Sequence, residues 1–137
     1  MNRLLFFVTL ALSFCAISCS KESANKETYD KPSESVYYVK YASEGLGGSG
    51  HEFNVSYTDQ TGKEQSFSGL AADSFERVIG PVSVGFIANF RIWVKNTNDS
   101  WTRAARIEVK KDDSPFVVRI EKAGTGSAGV SLKYIIE

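Results

Sequence analysis

Cysteine is almost missing from this sequence: there are two, Cys15 and Cys19, both near its start. Past Cys19 no thiol remains for a disulfide, a nucleophile or a metal ligand, so whatever folds there must do so on its hydrophobic core alone. Histidine is scarcer still, with His51 as the single example. A zinc site needs three or four ligands, and Glu44 and Glu52 are not spaced to supply them beside His51 from one strand face. Serine hydrolysis fares no better, because His51 is the one histidine base on offer and no Gly-x-Ser-x-Gly elbow occurs. No apolar run is long enough to span a bilayer; the longest candidate, 4–14, falls well short of the roughly 20 residues a helix needs. Charge of one sign is absent too, with 16 basic against 16 acidic residues. That balance offers nucleic acid no basic face and anionic lipid no polybasic patch.

What the sequence does contain begins with an export segment. Asn2 and Arg3 form a short cationic start, 4–14 is almost wholly apolar, and Ala16-Ile17-Ser18-Cys19 follows. Such a pattern predicts a cleaved signal peptide over 1–18. The small residue before Cys19 resembles the lipobox of bacterial lipoproteins, with Ala16 standing where leucine is most common. That resemblance implies that Cys19 becomes the acylated first residue of the mature chain. Each buried methylene of an acyl chain contributes about 0.8 kcal/mol, so two or more chains would hold the protein at a membrane without help from its surface. The stretch 19–35 then carries mixed charge, one proline and no aliphatic side chain larger than Ala24. It reads as a flexible tether with a reach of about 20–25 Å.

From Val36 the hydrophobic period becomes two. Alternation predicts strands over 36–43, 51–58, 63–68, 74–80, 82–95, 103–111, 116–122 and 130–136. Hairpin turns are expected at Asp59-Gln60-Thr61-Gly62 and Asp112-Asp113-Ser114-Pro115, the second between adjacent antiparallel strands. No stretch carries a helical stripe. The expected fold is all-β, an antiparallel β-sandwich of immunoglobulin-like type with seven to eight strands over 36–137, and a small β-barrel is the alternative. Its predicted core is Phe53, Val55, Tyr57, Val84, Phe86, Phe90, Ile92, Ile107, Val109, Val118, Ile120, Leu132 and Tyr134.

Val36-Tyr37-Tyr38-Val39-Lys40-Tyr41, Val55-Ser56-Tyr57-Thr58-Asp59 with Gly62, and the paired stretches 105–109 and 117–120 form a pattern. It resembles small β-sandwich lipoproteins of Bacteroidota and, more distantly, the soluble domain of the mycobacterial small membrane protein family that accompanies lipid transporters. The first likeness implies an envelope lipoprotein at the outer membrane. Ser20 directly after Cys19 resembles an outer-membrane sorting signal, and Lys21-Glu22 matches in part the acidic run that marks surface export in that phylum. From the mycobacterial family the chain departs by its cleavable signal and by having no disulfide in the domain.

Several motifs invite a chemical reading and fail on context. Gly124-Thr125-Gly126-Ser127-Ala128-Gly129 matches the dinucleotide-binding glycine pattern, yet that chemistry needs a helix next and Val130 onward alternates as a strand. In 44–50 the glycines are followed by His51-Glu52, where a phosphate loop needs lysine and a hydroxyl. Asn96, Asn98, Asp99 and Ser100 lack the alternating acids and closing glutamate of a calcium loop. No pair of carboxylates is singled out for glycoside hydrolysis. No cofactor or metal is expected. Aromatic residues carry the one functional signal: Trp93 lies on the face opposite the apolar row of its strand, and Trp101 follows near Arg103. A Trp beside Arg91 or Arg103 could stack on a sugar or anchor a protein. These four residues are the expected ligand site of a non-enzymatic binding or accessory module, attached to the membrane through Cys19 and binding a protein or glycan rather than nucleic acid. A surface glycan hydrolase and a purely structural envelope protein are the alternatives.

Overall fold

A computed structural model describes residues 34–45, 52–94, 102–125 and 129–137. The predicted signal segment, Cys19, His51 and Trp101 lie outside them. The described residues form eight strands: β1 (Tyr37–Glu44), β2 (Phe53–Thr58), β3 (Glu64–Leu70), β4 (Ser74–Val82), β5 (Ile87–Val94), β6 (Thr102–Lys111), β7 (Val117–Thr125) and β8 (Val130–Ile135). They form two four-stranded antiparallel sheets, ordered β4-β1-β6-β7 and β3-β2-β5-β8. The sheets pack face to face as a sandwich and do not close into a barrel. Immunoglobulin domains share this two-sheet architecture, here carried by its own strand order.

Alternation builds the core. On β5 the side chains of Ala88, Phe90, Ile92 and Val94 are buried while Asn89 and Arg91 face water. Opposite them, β1 and β6 contribute Val39, Tyr41, Ile107 and Val109. Tyr41 centres an aromatic cluster, with its ring centroid 5.3 Å from those of both Tyr57 and Phe90. Its hydroxyl donates to the Thr58 carbonyl at 2.8 Å, and burial raises its pKa far above the usual phenol range. Both expected hairpins form. In the first, the Asp59 carboxylate accepts from the Thr61 amide at 2.8 Å, the Thr61 hydroxyl at 2.7 Å, the Lys63 amide at 3.1 Å and the Gln65 amide group at 2.7 Å. In the second, Asp112 takes the left-handed conformation at φ 49°, and its carboxylate accepts from the Val36 amide at 3.0 Å.

Two expectations need correction. The predicted strand 82–95 is broken: β4 runs on through Val82, a turn occupies 83–86, and β5 begins at Ile87 in the other sheet. Gly85 adopts φ 86°, a conformation that ends an extended run, and its amide donates to the Ile136 carbonyl at 2.8 Å. Val84 therefore sits on the turn, 63% exposed, and is no core residue. Val118 is also outside the core, at 49% exposure. Ile107 pairs with Ile120 and Glu108 with Val118, so β7 holds one extra residue there. That bulge turns Val118 outward while Ile120 still packs on the core.

Candidate functional site

The outer face of the β3-β2-β5-β8 sheet presents the residues picked out by sequence. Trp93 is half-buried on β5, and the Arg91 guanidinium lies over its ring, 4.9 Å from the centroid. Asn54 of β2 stands opposite Trp93 in the strand register. Beyond Asn54, β3 carries a bulge: Phe53 pairs with Leu70 but Val55 with Phe67. Gly69 fills the bulge at φ 68°, and its amide donates to Asn54 Oδ1 at 3.3 Å. A side chain at position 69 would meet the Glu52 carboxylate at 3.4 Å, which puts Glu52 directly over this bulge. Trp93, Asn54, Ser68, Gly69 and Glu52 thus line a groove of about 480 Å3. It combines an aromatic ring, an amide and a carboxylate, with a guanidinium alongside.

Arg103 does not belong to this surface. It lies on the inward register of β6 with Ala105, Ile107 and Val109, opposite Gly124 of β7, and is 1% exposed. Burial pulls its pKa down. A charged residue at the start of a strand reads from sequence as a solvent-facing partner; the register carries it inside instead. The structure therefore brings Trp93 and Arg91 together and removes Arg103 from them.

On the opposite side of the molecule, the outer face of β1 and β6 carries a chain of ion pairs. Lys40 Nζ lies 2.7 Å from Glu108, Arg106 Nε 2.8 Å from Glu108, and Arg106 Nη1 2.6 Å from Glu44. Burial works to raise the Glu108 pKa, and the hydrogen bonds from Lys40 and Arg106 outweigh it, so the net shift is downward. Lys110 lies 4.7 Å from the Tyr38 ring centre and 5.6 Å from that of Phe116. These charges satisfy one another.

A second concavity escaped sequence reasoning. The edge strands β3 and β4 belong to different sheets, and between them opens a cleft of about 340 Å3 lined by Phe53, Tyr57, Phe67, Leu70, Phe75 and Arg77 among others. A contiguous hollow of about 240 Å3 shares Tyr57, Phe67 and Arg77. Phe67 stacks on Tyr57 at 6.0 Å with the rings 10° from parallel, and Phe75 lies 6.1 Å from Tyr57. Phe67 is nonetheless 41% exposed.

Among the described residues, no group of three or more His, Cys, Asp or Glu side chains is placed to hold a metal ion. Comparison of the chain with protein-family models and with curated proteins finds no match.

Proposed function

We propose that this chain is a lipid-anchored lipoprotein of the bacterial outer membrane whose sandwich domain is a non-enzymatic module that binds glycans. One observation carries the binding part: the half-buried Trp93, braced by Arg91, forms a wall of a groove that also offers Asn54 and Glu52. Sugars present apolar C–H faces ringed by hydroxyls. A flat aromatic surface flanked by an amide and a carboxylate matches both features, one by stacking and the other by hydrogen bonds. Among the described residues of the groove Glu52 is the one carboxylate, and beside Asn54 and the Trp93 ring it suits recognition by hydrogen bonds. Support for the lipid anchor is the segment ending in Ala16-Ile17-Ser18-Cys19.

Trp93→Ala tests the groove. It keeps the β-carbon that packs near Gly129 and removes only the ring, so the melting temperature should change little while affinity for a bound glycan falls by roughly 30-fold, the effect of losing a contact worth about 2 kcal/mol. A glycan array with no Trp93-dependent binder would end the glycan reading. The anchor is tested separately by fractionating cells that express Cys19→Ala: release from the membrane is expected, and retention would refute lipidation.

A further inference from the structure

We propose that the cleft between β3 and β4 is a second binding site, for a small amphipathic carboxylate with an apolar or aromatic body. Its walls are aromatic. Phe67 and Phe75 flank Tyr57, and the exposed part of Phe67 faces the opening instead of the packed core. At about 340 Å3 the cleft lies at the low end of the roughly 300–1,000 Å3 range of small-molecule sites, which suits one ring or a short chain.

Charge selects the head group. Arg77 pairs with Tyr41 across the β1–β4 ladder, so alternation puts it on the inward register, exposed at the mouth of the cleft; Glu76 also contributes to the lining, but its pairing with Ala42 puts its side chain on the outward register. Its Nε donates to the Tyr57 hydroxyl at 3.1 Å, and no carboxylate lies within ion-pairing distance of it among the described residues. Asp59, the nearest acid of the contiguous hollow, already accepts four hydrogen bonds within its own hairpin. The Arg77 fork has further N–H donors, and the Tyr57 hydroxyl, an acceptor toward Arg77, still carries a proton to donate. The polar corner thus consists of a guanidinium and a phenol at the end of an aromatic slot. A carboxylate accepts from both, and an anion there gains a charge-assisted bond that a neutral group does not. This site lies on the inward face of the sheet that carries the Trp93 groove outside, so it stands independently of the glycan reading.

The test uses the chain from position 19 onward with Cys19→Ala, titrated with 4-phenylbutyrate and with its uncharged amide, 4-phenylbutanamide, while backbone amide shifts are followed by NMR. Saturable shifts are expected at Phe67, Leu70, Phe75 and Arg77, with the carboxylate binding about tenfold more tightly than the amide. Arg77→Gln should bring the carboxylate down to the level of the amide and leave the amide's affinity unchanged. Tyr57→Phe keeps the ring and should weaken the carboxylate alone, by about threefold. Equal affinity of the two probes for the wild-type chain, shifts located elsewhere, or no saturation by either would overturn the proposal. So would an extended peptide that pairs with the β3 edge while phenylbutyrate leaves the cleft unperturbed, since the opening would then serve strand addition.

Discussion

The two long edges of the sandwich are built in opposite ways. Where β7 meets β8, glycine lets the sheets close: a β-carbon on Gly124 would lie 2.8 Å from the Val130 side chain. Within the second sheet, a β-carbon on Gly129, at φ 74°, would lie 2.6 Å from the Ile92 carbonyl of β5, so the chain entering β8 lies tight against its neighbour. Where β3 faces β4, large rings occupy the equivalent place. Phe67 and Phe75 hold that edge open as the aromatic cleft. Small residues seal one side of the core, and bulky ones turn the other into a cavity with a mouth. Closure of a sandwich is therefore set by side-chain volume at its rims as much as by strand pairing.

The strongest way to break this contrast is to remove the support that the open edge leans on. Phe90 is buried, 5.9 Å from Phe75 and 5.3 Å from Tyr41. Phe90→Ala should cost about 3–5 kcal/mol in urea unfolding, because the rings around it cannot collapse fully into the space. At the sealed edge, Gly129→Ala should cost about 2–4 kcal/mol, from the left-handed backbone together with the clash against Ile92. A smaller penalty at position 129 than in an exposed loop would mean that the chain entering β8 does not lie tight against β5. Phe67→Ser at the open rim should cost less than about 1 kcal/mol, since much of the ring is already in water. A loss as large as that of Phe90→Ala would show that Phe67 belongs to the core and that the cleft is only its frayed margin.

Much of the sandwich was legible because period-two alternation is a local signal. It located eight strands and both hairpins, and it put Trp93 and Arg91 on the face away from Phe90 and Ile92. What it missed depends on single residues that alternation does not register. Gly85 ends a run whose apolar spacing continues unbroken through it, and the extra residue in β7 flips Val118 without any change in composition. Arg103 shows the converse: a charged side chain can occupy an inward register. The groove was half visible, since Trp93 could be read from the strand but Glu52 and Gly69 reach it through a bulge in β3. The cleft was not visible at all. Phe67 pairs with Val55 in one sheet and Phe75 with Ser43 in the other, and which edges face each other is decided by topology.

The least costly perturbation of the open edge is acid. Asp59 sits at the turn that starts β3, and its hydrogen bonds, above all that from the Thr61 hydroxyl, hold its pKa at about 2 against an ordinary value of 3.8. The unfolded chain therefore binds this proton before the folded one does, so the contribution of Asp59 is complete above about pH 4 and is lost as pH falls toward 2. Glu108, on the far face, is shifted in the same direction and adds to the same slope. Subtraction separates them: the pH dependence of stability between about pH 4 and 2 should be shallower in Asp59→Asn than in the wild type, with the Glu108 part left in both. Protection of the Thr61 and Lys63 amides, taken relative to the intrinsic exchange rate at each pH, should fall over that same interval while that of β7 and β8 holds, because the hairpin that Asp59 closes belongs to the open edge alone. Simultaneous loosening of both edges would show that the two rims unfold as one and that their difference in packing has no energetic counterpart.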